Sequence, residues 1–360
     1  MPDNGRLGVA VVGCGNISDA YGETTSAYPS VRIVGATDVD PSLSTAFVER
    51  FGGRVYPSLD EVLADPDVDA IVNLTFPAVH ADVTTAALEA GKHVHSEKPL
   101  AGSYAEARTL VELAEKRGLR LSCSPITFLG EAQQTMWQLA TSGTIGEVRV
   151  AYAEVNWNRI ESWHPRPEPF YRIGPFADVG VYPLTILTAM FGPARRVTAF
   201  GTVVYPDRTT IEGEQFTPGA PDFGVAVVEL ESGTVVRLTA NFYVSRLTKQ
   251  GGIELHGDLG SIYLSDWQEF DASVELARFG EAYEPVAVEH AFRGTDWGRA
   301  LDDLSHAVAN GRPHRATGAH AAHIVEVLDA ISTSIAEGRA VDVTSTFPRP
   351  APGSNGAPTA

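Results

Sequence analysis

Basic residues are scarce in this chain. Lys and Arg total 27 against 45 Asp and Glu, which gives a formal net charge of -18. A surface with this balance repels phosphate backbones and anionic lipid head groups. The composition therefore argues against nucleic acid or a membrane as the main partner, and we expect a small-molecule ligand instead.

Cysteine and long apolar runs are also scarce. The two cysteines, Cys14 and Cys123, form neither a disulfide framework nor a metal-binding spacing, which is typical of a reducing compartment. Near the start, the apolar run Leu7–Val12 is too short to span a bilayer. His320 and His323 lack a third ligand. We expect a soluble, cytoplasmic protein without a metal site.

The first third of the chain alternates short apolar runs with helical segments. Capping boxes at Ser58 with Glu61 and at Ser103 with Glu106 indicate two of the helix starts. This alternation predicts right-handed βαβ units and a doubly wound parallel sheet, which places the chain in the α/β class. The predicted strands are 7–12, 31–37, 54–56, 70–74, 93–95 and 119–123.

The remainder has a different pattern and predicts a second, α+β domain. Its paired apolar runs indicate an open, mostly antiparallel sheet. We predict a Rossmann domain at 1–124, a substrate-binding domain at 125–347 and a disordered tail at 348–360. The predicted strands are 147–157, 223–230, 234–243 and 252–256, and the predicted helices are 131–142, 297–310 and 320–337.

The predicted second sheet has helices on one face only. An uncovered face of such a sheet often packs against another subunit. We therefore expect a homodimer or homotetramer.

A glycine-rich turn follows the first strand. Gly13 permits a tight turn, Gly15 lets the backbone approach a pyrophosphate, and the next helix supplies N–H groups at its start, beside Asn16 and Ile17. Ser18 stands where the usual fingerprint has a third glycine. The strand, the turn and the helix together predict a dinucleotide site.

Asp38 ends the second strand, about twenty residues beyond the turn, where an acid contacts the adenosine ribose. A carboxylate there repels a 2′-phosphate, and residues 39–42 contain no Lys or Arg. We predict NAD as the cofactor, with NADP less favoured. The alternative is that Asp38 only caps the next helix.

Lys98 follows the fifth strand, at the sheet edge where α/β proteins bind their ligands. Pro99 restricts the backbone of Lys98 and admits a cis bond. Transfer of a hydride from a secondary alcohol needs positive charge beside the nascent carbonyl oxygen and a group that takes the hydroxyl proton. Lys98 is the candidate for the first of these roles.

These residues resemble a known family. The stretch Gly91-Lys92-His93-Val94 through Glu97-Lys98-Pro99, preceded by Asp69-Ala70-Ile71-Val72 and His80, is similar to the glucose–fructose oxidoreductase/inositol dehydrogenase (Gfo/Idh/MocA) family, over roughly residues 7 to 343. The resemblance implies a Rossmann domain plus a substrate domain, and an NAD(P)-dependent oxidoreductase acting on sugars or cyclitols. It also implies that Lys98 lies beside the nicotinamide and the substrate. Further expected cofactor contacts are Thr75, Phe76, His80 and Glu97.

The resemblance extends to a glycine-rich turn at 174–180. By analogy, Asp178 binds substrate hydroxyls and Tyr182 stands at the acid/base position, where many relatives have histidine. On a helix the two are one turn apart on one face. An unperturbed tyrosine has a pKa of about 10, so it needs the Lys98 charge to act as a base near neutrality. The alternative for Tyr182 is a packed aromatic residue.

The chain departs from the usual family pattern in two places. Phe76 replaces the first of two prolines after strand four, and the loop 124–130 lacks the usual Asn and Arg. The loop around Trp163 and His164 resembles a less characterised subgroup. Its aromatics suit stacking on a sugar ring, with His164 as a hydroxyl partner or alternative proton acceptor. A proline-rich loop that merely packs its aromatics is the alternative.

The sequence thus favours an NAD-dependent dehydrogenase or ketoreductase of a sugar, glycoside or cyclitol. The proposed catalytic set is Lys98, Tyr182, Asp178 and His164, with Trp163 as a further substrate contact. Two other functions stay open. One is an NAD-using glycoside hydrolase or lyase that works by oxidation and elimination, and the other is a non-catalytic ligand sensor.

Overall fold

The computed structural model describes residues 5–353, and its first sheet is fully parallel. The strand order β3-β2-β1-β4-β5-β6 places the chain reversal between β1 and β4, which is where doubly wound folds bind ligands. Every residue of β1 is buried, as expected for a strand covered on both faces. The strands are β1 (Leu7–Val12), β2 (Val31–Thr37), β3 (Arg54–Val55), β4 (Ala70–Asn73), β5 (His93–Ser96) and β6 (Leu121–Cys123).

Helices connect these strands, and two begin at the predicted capping boxes. Ser58 accepts a hydrogen bond from the Glu61 amide and Ser103 from the Glu106 amide. The prediction of an N-terminal Rossmann-like sheet is therefore confirmed, with strand ends shifted by one or two residues. The helices are α1 (Ser18–Thr25), α2 (Pro41–Phe51), α3 (Leu59–Ala64), α4 (His80–Glu89) and α5 (Tyr104–Arg117).

A nine-stranded sheet dominates the second part of the chain, in the order β16-β15-β14-β13-β7-β12-β11-β8-β17. The prediction of a mostly antiparallel sheet is confirmed, with one exception, because β7 and β12 pair in parallel. The strands are β7 (Val148–Asn156), β8 (Ala194–Thr202), β11 (Phe223–Leu230), β12 (Val235–Asn241), β13 (Gly252–Gly257), β14 (Gly260–Leu264), β15 (Val274–Arg278), β16 (Glu284–Val286) and β17 (Val341–Asp342), and a separate pair contains β9 (Arg208–Thr209) and β10 (Gln215–Phe216).

Burial alternates along the strands of this sheet, so one face is packed and the other is partly open. On β12, Val236, Leu238 and Ala240 are buried, whereas Val235 is exposed. Helices of the same unit contact the sheet. The remaining helices of the chain are α6 (Glu131–Thr141), α7 (Glu168–Pro175), α8 (Val181–Phe191), α9 (Arg299–Asn310) and α10 (Gly318–Glu337).

The helical stretch Glu168–Phe191 is long and apolar enough, by length and composition alone, to cross a membrane. However, 89% of its most apolar window is buried within the protein. Gly174, at φ 79°, and a π-helical turn at Phe176–Gly180 interrupt it. These features describe a buried core helix.

The chain forms two compact units that are not consecutive halves. The first unit contains the chain up to Leu129 together with Thr295–Val325. The second unit contains Gly130–Gly294 and the chain from Glu326 onward. Within the first unit, Ser305 on α9 donates a 2.8 Å hydrogen bond to the Ser30 carbonyl. This contact helps to hold α9 beside β2. Because Thr295–Val325 belongs to the first unit, the units are not the continuous stretches of chain predicted from sequence.

The last described residues also differ from the predicted disordered tail. Arg349 donates a hydrogen bond to the Met190 carbonyl, and the Gly353 amide donates to Gln134 Oε1 at 2.6 Å. Arg349 and Gly353 are thus bonded to residues of the second unit, while residues 348, 349, 351 and 352 are exposed. Residues 354–360 of the predicted tail lie outside the described residues.

Candidate active site

The two glycines of the turn after β1 have different surroundings. Gly13 has φ +92°, and a Cβ there would lie 2.8 Å from backbone atoms of Leu74 and Thr75. Only glycine fits this position. A Cβ on Gly15 would meet nothing within 4 Å. The first glycine is therefore required by the fold, while the second faces open space.

The start of α1 completes this cradle. Ser18 is buried, and both its amide and its hydroxyl donate to the Gly15 carbonyl, at 3.0 and 2.7 Å. Ser18 thus fastens the turn, in the place of the third glycine. Ile17 caps α1 without a side-chain hydrogen bond, and Asn16 is exposed. The first N–H groups of the helix suit an anion there.

Asp38 lies directly beside the glycine turn. Its Oδ2 accepts a 2.6 Å hydrogen bond from the Cys14 amide, and its Oδ1 accepts one of 2.8 Å from the Asp40 amide. The nearest following arginine, Arg50, pairs instead with acidic residues of α1. Burial, with the Asp38 charge adding to it, raises the pKa of the Cys14 thiol to about 12. The turn therefore contains a carboxylate and a neutral thiol.

The loop after β4 is organised by two buried side chains that sequence analysis did not assign as its anchors. Asn73 Oδ1 accepts from the Thr75 hydroxyl at 2.6 Å, and Asn73 Nδ2 donates to the His80 carbonyl at 3.0 Å. The His80 ring contacts the Thr75 and Pro99 carbonyls at 2.9 and 2.7 Å. His80 thus ties the loop after β4 to the loop after β5, which supports a positional role. Phe76 is 76% exposed at the loop tip.

Lys98 follows β5 at the carboxyl edge of the first sheet, and its bond to Pro99 is cis. The Lys98 amide donates to Glu97 Oε2 at 3.2 Å. The other oxygen of that carboxylate, Oε1, accepts a 2.6 Å hydrogen bond from the hydroxyl of Tyr21. The Glu97 side chain therefore fixes the backbone that carries Lys98, and Tyr21 fixes Glu97.

Tyr21 is the centre of a buried polar cluster, which we call the Tyr21 cluster. Its hydroxyl lies 3.1 Å from His95 Nε2 and 2.9 Å from Ser124 Oγ, and His95 Nδ1 lies 2.9 Å from Ser122 Oγ. Burial lowers the pKa of His95 to about 4 and raises that of Tyr21 well above its usual value. Both rings are neutral near pH 7, so Tyr21 donates to Glu97 and His95 Nε2–H donates to Tyr21.

The second unit places Asp178 and Tyr182 on consecutive turns. Both are buried, at 7% exposure. Asp178 lies within the π turn Phe176–Gly180, whereas Tyr182 lies in α8. The predicted uniform α-helix is therefore wrong at Asp178, because Gly174 and Pro175 interrupt the helix just before it. The wider π turn still leaves the two residues about one turn apart.

Aromatic rings surround both Tyr182 and His164. The Tyr182 ring lies 5.0 Å from that of Trp267. His164 contacts Phe170 edge-on at 4.9 Å and Trp163 at 5.5 Å. Trp163 is 50% exposed. The loop therefore offers an accessible indole with a histidine beside it.

The orientation of His164 is set by its own loop. Its Nδ1 accepts a hydrogen bond from the Arg166 amide at 3.1 Å. A neutral imidazole with Nδ1 as acceptor carries its hydrogen on Nε2. In this form His164 presents a donor at Nε2.

Among residues 5–353, no group of three or more His, Cys, Asp or Glu side chains is arranged to hold a metal ion. Cys14 and Cys123 are both buried and form no disulfide.

Comparison with known families gives two matches. Residues 7–124 match the oxidoreductase family with an NAD-binding Rossmann fold, GFO_IDH_MocA, and residues 133–263 match the GFO/IDH/MocA C-terminal domain. Together they cover most of the chain. A dTDP-3,4-didehydro-2,6-dideoxy-alpha-D-glucose 3-reductase of Streptomyces antibioticus is 33% identical over 168 residues, which is 46% of this chain and 51% of that protein. The chain thus matches about half the length of such relatives.

Solved structures share the fold. An NAD-binding oxidoreductase from Klebsiella pneumoniae superposes with a TM-score of 0.82 at 20% identity, covering 95% of this chain and all of that one. A levoglucosan dehydrogenase in complex with NADH and L-sorbose gives 0.81 at 19% identity, covering 94% and 99%. At these identities the likeness concerns the fold alone.

Proposed function

Because the chain belongs to the Gfo/Idh/MocA family of oxidoreductases, we propose that it interconverts a secondary alcohol and a ketone on a sugar, glycoside or cyclitol, with NAD+ as the hydride acceptor or NADH as the hydride donor. The placement of Lys98 carries this proposal. Lys98 follows β5, at the carboxyl edge of the parallel sheet, where doubly wound folds bind their ligands. The side chain of Glu97, which Tyr21 holds, fixes the backbone of Lys98. The names of relatives, which include sugar reductases and a diol dehydrogenase, agree with this substrate class.

The cofactor would be held by the glycine turn, the start of α1 and Asp38. The open space at Gly15 and the uncapped start of α1 fit its pyrophosphate. When bound, NAD supplies the nicotinamide ring that takes or returns the hydride. NAD is preferred to NADP in this proposal because Asp38 would repel a 2′-phosphate and residues 39–42, which follow it, contain no Lys or Arg to offset the repulsion.

Replacing Asp38 with serine should therefore narrow the preference for NAD over NADP by about tenfold in kcat/KM, as expected for the removal of one repulsive charge. The measurement is kcat/KM with each cofactor for the wild type and for Asp38→Ser. An unchanged ratio would contradict the assignment of Asp38 to the ribose.

Three other side chains complete the proposed reaction. Lys98 orients the reacting oxygen and stabilises negative charge on it, while Asp178 binds neighbouring hydroxyls of the ring. Tyr182 takes the hydroxyl proton in its anionic form, after its own phenolic proton has passed to solvent. His164 is less suited to that step, because its Nδ1 already accepts the Arg166 amide and its Nε2 then carries hydrogen. We assign His164, with Trp163, to binding the sugar ring.

The two candidate proton acceptors can be separated by substitution. Tyr182→Phe should lower kcat by about 100-fold, the lower range of general acid–base catalysis. His164→Asn should mainly raise KM. Steady-state kinetics of both variants decide the assignment, and a larger kcat loss in His164→Asn would reverse it.

The proposed function itself is tested by mixing the protein with NAD and a panel of sugars, glycosides and inositols while the absorbance of reduced nicotinamide is followed. Reduction with one class supports the proposal and identifies the substrate class. Consumption of a glycoside without net reduction would favour the oxidation–elimination enzyme. Binding without turnover of any compound would favour the ligand sensor.

We also propose that the chain acts in the cytoplasm as a homodimer or homotetramer, assembled through the open face of the nine-stranded sheet. Apolar side chains on that face support this proposal. Phe200, Val227 and Val235 are exposed at 62%, 41% and 37%. Light scattering of the purified protein tests it, since a monomer would exclude it.

A further inference from the structure

A fully buried arginine lies at the end of the nine-stranded sheet where β12 finishes. Arg208, on β9, has a side chain with 0% exposure. Its Nη1 lies 2.6 Å from Glu161 Oε1, and its Nη2 donates to the buried carboxylate of Asp222. Nη2 also lies 3.5 Å from the Phe242 carbonyl, just after β12. Because this guanidinium is buried among protein groups, it has no surface with which to bind a ligand directly.

Tyr171 closes what we call the Arg208 cluster. The guanidinium carbon lies 4.3 Å from the Tyr171 ring centroid, and Nη1 donates to the Tyr171 hydroxyl at 2.7 Å. That hydroxyl in turn donates to Glu161. Burial, with the Glu161 hydrogen bond adding to it, raises the pKa of Tyr171 above its usual value. The tyrosine therefore stays protonated and keeps its donor role.

The cluster joins three segments that are distant in sequence. Glu161 and Tyr171 belong to the loop and helix after β7, Arg208 belongs to the short hairpin β9–β10, and Asp222 directly precedes β11. Asp222 Oδ1 also accepts from the Val204 amide at 2.7 Å. A guanidinium is planar and its donors point in fixed directions, so the bonds from Nη1 to Glu161 and from Nη2 to Asp222 determine where these segments lie.

One of these segments carries the aromatic pair assigned to the sugar ring. Glu161 lies in the 3-10 turn Ile160–Ser162, and the amides of Trp163 and His164 both donate to the Ile160 carbonyl, at 3.1 and 2.9 Å. The Ile160 amide contacts the Tyr171 hydroxyl at 3.3 Å. Trp163 therefore lies only two residues after Glu161, which the bond to Arg208 holds in place.

We propose that Arg208 is a positioning residue for substrate recognition, which holds the turn that presents Trp163 and His164 without touching the substrate. A buried ion pair is weak support for stability, because apolar replacements are often equally stable. Here the contacts of Arg208 fix the geometry of the turn next to the half-exposed indole of Trp163. The inference rests on the proposed function, since it assigns the turn to the sugar-binding side of that reaction.

Arg208→Lys tests this proposal because lysine keeps the charge and loses the planar fork. We expect KM for the best sugar or cyclitol to rise by about tenfold or more, with kcat within about threefold and cofactor affinity unchanged, because only ring binding is loosened. The matched control is Arg196→Gln, which breaks an exposed ion pair to Asp342 (50% and 69% exposed) on the same sheet. An unchanged KM in folded Arg208→Lys would overturn the proposal, as would a parallel fall of kcat and cofactor affinity.

A second readout needs no activity. Trp163 is half exposed and is followed by His164, so the Trp163–His164 bond is a chymotrypsin site within the turn itself. Arg208→Lys should be cleaved there several times faster than the wild type and the Arg196→Gln control. Equal cleavage rates would overturn the inference even if no substrate is found, whereas a failed substrate panel with faster cleavage would count only against the proposed function. If Arg208→Lys does not fold, Tyr171→Phe is measured in both assays with the same expected results.

Discussion

The two units fix their functional loops with the same pair of residue types, in different surroundings. In each unit a buried tyrosine donates to a glutamate, Tyr21 to Glu97 and Tyr171 to Glu161. In each, the glutamate lies one or two residues before the side chain assigned to chemistry or recognition. This common feature indicates that each tyrosine mainly fixes the position of its glutamate and matters less for the charge of that glutamate.

The surroundings differ in what accompanies the tyrosine. The Tyr21 cluster contains the neutral ring of His95 and the hydroxyls of Ser122 and Ser124, whereas the Arg208 cluster contains a buried guanidinium. The first is a hydrogen-bond network with a titratable histidine, and the second is an ion network. The two loops should therefore respond differently to substitution and to pH. The first cluster is thus assigned to turnover and the second to binding.

The largest effect is expected at the residue that the Tyr21 cluster holds. Lys98→Met should lower kcat by about 1000-fold, the upper range for loss of one charge-stabilising donor, with cofactor affinity largely unchanged. Steady-state kinetics and a fluorescence titration with NADH measure both quantities. Lys116→Met, at an exposed position on α5, is the control. Substantial turnover in Lys98→Met would remove the basis of the mechanism.

A smaller effect is expected from Tyr21→Phe, which deletes one hydroxyl and keeps the ring stacked on Trp297. Because Glu97 then loses a hydrogen bond and Lys98 is less well held, kcat should fall by about tenfold while KM for the sugar changes little. Arg208→Lys should show the opposite split. Steady-state kinetics of the two variants, measured side by side, test this difference between the clusters. The same pattern of change in kcat and KM in both variants would contradict it.

The last prediction concerns the pH dependence of the free energy of unfolding, not the reaction rate. Burial lowers the pKa of His95 to about 4, with His314 adding to this and Glu97 opposing it, against about 6.5 in an unfolded chain. Above pH 6.5 both states are neutral at this site. As the pH falls from 6.5 towards 4, only the unfolded chain takes up the proton, so His95 costs the folded state about 2 kcal/mol at pH 5.

Urea unfolding at pH 7 and pH 5 measures this cost. His95→Gln should lose less stability than the wild type between these values, although His320, whose pKa burial lowers to about 3, retains its own contribution in both proteins. If both proteins lost the same unfolding free energy between pH 7 and pH 5, the lowered pKa of His95 would be contradicted.

Local features of the sequence predicted much of the first unit. The glycine turn, Asp38, the capping boxes and Lys98 each depend on residues close in sequence and on strand ends, so spacing alone was informative. The Tyr21 hydroxyl, by contrast, reaches Glu97 across 76 positions. Nothing in the local pattern distinguishes this tyrosine from one that simply packs.

The second unit was less predictable because its geometry depends on long-range pairing. The parallel pairing of β7 with β12 joins strands that are far apart in sequence, where short turns suggested only hairpins. Arg208 contacts Glu161 across 47 positions. An isolated arginine in a polar loop normally indicates a solvated side chain, so no sequence signal identified it as buried.

The most direct test of the proposed hydride transfer uses the substrate found in the panel, deuterated at the carbon that is oxidised. If the proposed reaction is right, the reduced nicotinamide carries the deuterium and kcat/KM falls with a primary isotope effect when transfer is rate-limiting. Lys98→Met should abolish the transfer. Reduced cofactor that carries no deuterium, or transfer that is undiminished in Lys98→Met, would contradict it.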